Sequence, residues 1–171
     1  ALAAANDDLA SATDISTQLN TTASYSDTLT SIAGFTRDAV EANGLGSCGS
    51  YSNRPANTYS GWYTFTPAQA GWVTINTRGS NYDTVIEVWR GSVAQANSVA
   101  CNDDAISGAR TSEVAVPVLA GSTYLVAVRQ NGSATLPGAP TQDFQAAFSP
   151  GRIVFVDQTN GSDGNTGSAG L

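Results

Sequence analysis

Gly61-Trp62-Tyr63-Thr64-Phe65-Thr66 opens the series of strands on which the architecture turns, and Gly71-Trp72-Val73-Thr74-Ile75-Asn76-Thr77 follows it across a turn. Next come Tyr82-Asp83-Thr84-Val85-Ile86-Glu87-Val88-Trp89 and Val99-Ala100-Cys101-Asn102-Asp103-Asp104. Apolar and polar residues alternate with period two in each run, and β-branched and aromatic residues dominate, the pattern of half-buried antiparallel strands. Pro67-Ala68-Gln69-Ala70 and Arg78-Gly79-Ser80-Asn81 carry the turns between them. All three tryptophans lie here, so this is the centre of the core. The last run ends in Asn-Asp-Asp, a dense set of oxygen ligands at a strand end.

Toward the N-terminus, residues 6–14 suit one or two helical turns, with Asn6 or Asp7 as N-cap and Asp7 and Asp8 at the positive end of the helix dipole. Between Ile15 and Thr36 two short strands are expected, near Thr17–Leu19 and Tyr25–Thr28. Asp38 to Asn57 reads as a long loop, a length that implies a tether or a function. After the centre, Ser112–Val118 alternates cleanly and Pro117 marks a sheet edge or strand end. Thr123–Arg129 and Asp143–Phe148 supply the last strands. Eight or so regularly punctuated strands make an all-β fold, an antiparallel β-sandwich, over residues 6–149. Residues 150–171 form a second part: an apolar strand, Ile153-Val154-Phe155-Val156, and a flexible tail of Gly, Ser, Asn, Thr and Asp.

Composition removes several classes of function. Among 171 residues there is no Lys, His or Met, and the net charge is −7. No basic patch exists to neutralise phosphates, so nucleic acid is not an expected partner. No apolar run approaches the roughly 20 residues of a membrane span. Without His or Lys the chain lacks a Ser-His-Asp triad, a Cys-His pair, a Ser-Lys dyad or a zinc site using His. Asp103 and Asp104 are neighbours on a strand end, a poor start for the separated carboxylates of glycoside hydrolysis. The expectation is therefore no enzyme.

Cys48 and Cys101 lack CxxC spacing, and one disulfide is the simplest pairing, with two buried free thiols as the alternative. The bridge would stabilise the fold by roughly 4 kcal/mol in the chain-entropy model. The opening Ala1-Leu2-Ala3 has the small-x-small pattern of a signal-peptidase cut, so export to the extracellular space or cell surface is expected. The alternative is that the chain is cut from a longer protein at an arbitrary point. Asn20, Asn131 and Asn160 each begin a triplet of the N-glycosylation pattern.

The runs from Asn6-Asp7-Asp8-Leu9-Ala10-Ser11-Ala12-Thr13 through Trp62–Pro67, Gly71–Ile75, Tyr82–Val88 and Cys101–Asp104 to Ala120–Tyr124 resemble, in order, bacterial pre-peptidase C-terminal domains. The resemblance implies a secreted, jelly-roll-like β-sandwich of the kind appended to exported hydrolases. Some relatives bind calcium and some attach to insoluble polymers. The chain departs from the pattern at Thr77-Arg78-Gly79, where relatives often carry Cys, and in its long Asp38–Asn57 loop.

Calcium takes six to eight oxygen ligands, and Asn6, Asp7, Asp8, Asp83, Asn102, Asp103 and Asp104 are the candidates. Asn-Asp runs also serve as ordinary turn and cap residues; the resemblance favours calcium as cofactor. The parity of the strands puts Trp62 opposite Tyr63 and Phe65, Trp72 with Thr74 and Asn76, and Trp89 with Val85 and Glu87. Two readings follow: an exposed aromatic binding surface, or a sheet covered on both faces by loops. The leading functional reading is a non-catalytic extracellular structural or adhesive module. In that reading Ile153–Val156 pairs with other copies of the chain to form filaments; its rivals are that this segment folds back on its own sandwich or leads into a following domain, such as the β-helix its surroundings resemble. The alternative function is a targeting module that holds a secreted hydrolase on an extracellular polymer.

Overall fold

The computed structural model describes residues 6–30, 32, 60–131 and 137–151. Two sheets face each other. The first has the order β1-β3-β8-β5-β6, from Thr13–Asp14, Ser60–Phe65, Tyr124–Gln130, Thr84–Arg90 and Ser98–Asn102. The second has the order β2-β9-β4-β7, from Ser24–Leu29, Gln142–Pro150, Gly71–Asn76 and Glu113–Val118. All pairings are antiparallel except that of β1 with β3. The fold is the expected all-β sandwich, and Pro117 lies on the edge strand β7, where its missing N–H is harmless.

Period two builds the core. Tyr63 and Phe65 of β3, Ile86 and Val88 of β5, and Tyr124, Val126 and Val128 of β8 face Val73, Ile75, Val114, Val116, Val118, Phe144 and Ala146 of the second sheet. Tyr63 stacks on Phe144 with ring centroids 3.7 Å apart and an interplanar angle of 11°, joining the two layers. The opposite parity forms a second, smaller cluster. Trp62, Trp89 and Ala127 pack on the outer face of the first sheet under Leu9, Ala12, Val93 and Leu125. The two indoles stack at 5.7 Å and neither is exposed. Both rings take the face that strand parity requires, but the exposed aromatic cluster is overturned for Trp62 and Trp89: the N-terminal segment and the turn after β5 cover them.

Two local differences have physical causes. The strand expected near Thr17–Leu19 is instead an α-helix, α1, Ser16–Thr21. Asp14 accepts from the Ser16 N–H at 2.9 Å, and the hydroxyls of Thr21 and Thr22 donate back to the carbonyls of Thr17 and Gln18. Burial of Ile15 and Leu19 outweighs the weak helix propensity of this Ser/Thr-rich run. The expected N-terminal turns are a single 3-10 turn, Leu9–Ser11, and its cap is Asp8 rather than Asn6 or Asp7. Cys48, Asn160, the loop 38–57 and the segment Ile153–Val156 lie outside the described residues.

Candidate metal centre

Strand register brings the acidic residues together. On the antiparallel pair β5–β6, Ile86 stands opposite Asn102. Asp83, just before β5, therefore meets Asp103 and Asp104, just after β6. Carboxylate oxygens of these three residues lie within 4.8 Å of one another. Asp83 and Asp103 are half-buried and Asp104 is exposed, so the cluster forms a partly sheltered corner of the sandwich.

Neighbours hold this corner in place. The Asp83 carbonyl accepts from the Asn131 N–H at 2.8 Å, and the Thr84 N–H donates to the Arg110 carbonyl at 2.9 Å. A buried hydroxyl network fixes the other side. Thr77 Oγ1 lies 2.7 Å from Thr84 Oγ1, and Thr84 Oγ1 lies 3.0 Å from Ser112 Oγ. The single proton of the Ser112 hydroxyl has two acceptors at 2.6 Å, the carbonyls of Thr84 and Asp103. Ser112 thereby links the start of β5 to the backbone of a candidate ligand.

The Asp83 carboxyl is raised above its ordinary 3.8, chiefly by burial and further by the Asp104 carboxylate; the Asn131 side chain and Arg110 pull it the other way. Asp83 Oδ1 is buried and has no hydrogen-bond donor among the described residues. A buried carboxylate oxygen with no donor, facing two further carboxylates, is the situation that a hard cation relieves. Asp83, Asp103 and Asp104 are the residues here that could hold a cation.

Asn102, Asn6 and Asp8, also expected as ligands, have hydrogen-bond partners of their own. Asn102 accepts from the Glu113 N–H at 2.9 Å and donates to the Asp104 carbonyl at 3.1 Å, so its amide ties β7 to the acidic turn. Asn6, Asp7 and Asp8 belong to the segment beside β3, at the β1 edge of the first sheet, whereas β6 is the opposite edge. The Asn6 carbonyl accepts from the Trp62 N–H at 2.8 Å, and Asp8 caps the 3-10 turn. The carboxylates of Asp7 and Asp8 are not part of the acidic group. Cys101 lies half-buried on β6 opposite Glu87, and no free cysteine occurs among the described residues. Asn20 donates to the Thr66 carbonyl and accepts from the Ala68 N–H, clamping α1 to the β3–β4 turn.

Ser112, Thr84 and Thr77 carry no sequence signal for a metal centre. Each reads as an ordinary polar residue at the border of a strand, and only the meeting of Thr77 and Ser112, joined where β4 and β7 end and begin, with Thr84 at the start of β5 reveals the network. Asn131 had a signal, but for glycosylation rather than for supporting Asp83.

The chain is thus an all-β sandwich with three carboxylates gathered at one corner. Among solved structures it is similar to the pre-peptidase C-terminal domain of a collagenase from Bacillus anthracis, at 14% identity and a TM-score of 0.45, over 81% of this chain and 94% of that one. It is also similar to PliG of Aeromonas hydrophila, a periplasmic lysozyme inhibitor of g-type lysozyme, at 16% identity and a TM-score of 0.32, over 63% of this chain and 96% of that one. No protein-family model and no curated protein matches the chain.

Proposed function

We propose that this chain is a non-catalytic extracellular β-sandwich module with a structural or carrier role, stabilised by calcium at Asp83, Asp103 and Asp104. The observation that carries the reading is the convergence of three carboxylates on one corner, with Asp83 Oδ1 buried and without a donor among the described residues. The sequence has no His or Lys to serve as base, nucleophile or activating cation, which favours a role without catalysis. Three carboxylates at an open corner suit the weak, millimolar-range affinities of extracellular calcium modules better than those of cytosolic sensors. A bridge between Cys48 and Cys101 is part of the same proposal, because it would anchor the strand that leads into the acidic turn and suits an oxidising compartment.

The test is thermal unfolding with and without metal. Calcium is expected to raise the melting temperature of the wild-type chain through binding to the folded state, and EDTA to reverse the shift. Asp103→Ala with Asp104→Ala is expected to abolish it. Identical melting temperatures in calcium and EDTA would reduce the corner to a set of turn residues.

A further inference from the structure

The outer face of the second sheet has no assigned role, and its chemistry is unlike that of the core. Register sets its rows. Trp72 lies between Pro117 and Ser149; Thr74 lies between Ala115 and Ala147, with Ser24 beyond; Asn76 lies between Glu113 and Gln145, with Ser26 beyond. Ser24, Ser26, Thr74, Asn76, Gln145 and Ala147 line an open groove of about 410 Å³. With neighbouring strands about 4.8 Å apart, the face is about 14 Å wide, and Trp72 to Asn76 spans about 13 Å. Trp72 is 46% exposed, the one exposed aromatic ring among the described residues; it does not line the groove itself but precedes the groove residue Thr74 by two positions on the same face of β4.

We propose that this face binds a neutral polysaccharide, with Trp72 stacking on the apolar face of a sugar ring and the groove taking the rings that follow. An indole offers a large rigid apolar surface at low entropic cost. The groove beyond it offers hydroxyl and carboxamide groups, each able to donate and accept, as the hydroxyls of a sugar require. Ala147 and Ala115 keep the floor low, so a flat chain can reach those groups.

Charge selects the polymer. The side chains that line the groove are all uncharged, and at its border Arg78 is paired with Glu113. A chain of net charge −7 whose groove carries no cation repels acidic glycans and nucleic acids. A protein partner fits less well, because protein interfaces centre on clustered large apolar side chains. Here, among the described residues, the apolar neighbours of Trp72 on this face are the small Ala115, Pro117 and Ala147, with Leu119 just past the end of β7. The metal centre lies at a corner of the other sheet, so the inference stands or falls separately from it.

The test is retention of the whole chain on insoluble cellulose, chitin and starch, with gelatin as the protein arm and EDTA present in a parallel set. Wild type is expected to be retained on at least one polysaccharide, with or without EDTA. Trp72→Ala is expected to weaken retention at least about tenfold, and Trp72→Tyr to keep part of it. Ala147→Trp, which places a bulky ring among the groove residues, is expected to block it. Both positions are exposed, so unchanged melting temperatures serve as the folding control. No retention on any polysaccharide, retention on gelatin alone, or wild-type retention by either Trp72→Ala or Ala147→Trp would overturn the proposal.

Discussion

Glu87 and Arg129 offer the sharpest test of the packing. Both side chains are wholly buried, and Arg129 Nη2 lies 2.6 Å from Glu87 Oε2. They share the outer face of the first sheet with the Trp62–Trp89 stack, because Glu87 pairs with Ala127 and Arg129 with Val85. Ser98 Oγ donates to Glu87 Oε1 at 3.2 Å. Glu87→Gln keeps the shape and removes the carboxylate charge that lies 2.6 Å from the buried guanidinium. Breaking a buried pair from one side costs about 3–5 kcal/mol, a large part of the roughly 5–15 kcal/mol that holds a domain folded. With a urea m-value of about 2 kcal/mol/M, the unfolding midpoint falls by roughly 2 M. Glu87→Leu with Arg129→Met removes both charges and is expected to recover most of that loss. The assay is equilibrium unfolding followed by fluorescence, since Trp62 and Trp89 are buried and report loss of the fold. A single-mutant loss below about 1 kcal/mol, the value of an exposed pair, would rule out a pair that matters through its burial. So would a double mutant as unstable as Glu87→Gln.

Ser112→Ala is expected to destabilise the domain by about 1–3 kcal/mol and to weaken calcium binding, because the Asp103 carbonyl loses its hydroxyl donor; urea unfolding and calcium titration check the two effects. Asp83 makes the metal-free protein more stable as pH falls: its folded value lies above 3.8, so the folded state takes up the proton first, and stability rises as pH drops through that interval. Asp83→Asn is expected to remove that slope and to be the more stable of the two at neutral pH in EDTA. In calcium the trend reverses, since protons compete with the metal and the calcium-induced rise in melting temperature shrinks on acidification. Thiol labelling of the unfolded, unreduced chain is expected to find no free cysteine; two reactive thiols would remove the proposed bridge.

Much of the fold was legible in strand parity. Tyr63 and Phe65 face the core and Trp62 faces away, as alternation requires, because register is fixed wherever one face is buried. Parity says which face a residue takes but not what covers that face, so the burial of Trp62 and Trp89 under Leu9, Ala12 and Val93 was out of reach. Helix α1 was illegible for a related reason: its stability comes from burying Leu19 and from Asp14 at its start, not from propensity. In the acidic corner Asp83, Asp103 and Asp104 could be brought together, because β5 and β6 read as neighbours. Asn102 and the Asn6–Asp8 run could not be sorted from them, since Asn and Asp satisfy backbone groups as readily as they ligate metal.

Whether a cation is bound by Asp83, Asp103 and Asp104 is decided by isothermal titration of the metal-free protein with calcium. One saturable site is expected in the wild-type chain, with release of protons on binding at pH values where Asp83 is partly protonated, and no binding in Asp83→Asn. Wild-type binding is expected in Asp7→Asn with Asp8→Asn, whose carboxylates stand apart from the corner. No heat of binding in the wild type, or binding lost with Asp7 and Asp8 and kept without Asp83, would contradict a cation site at this corner.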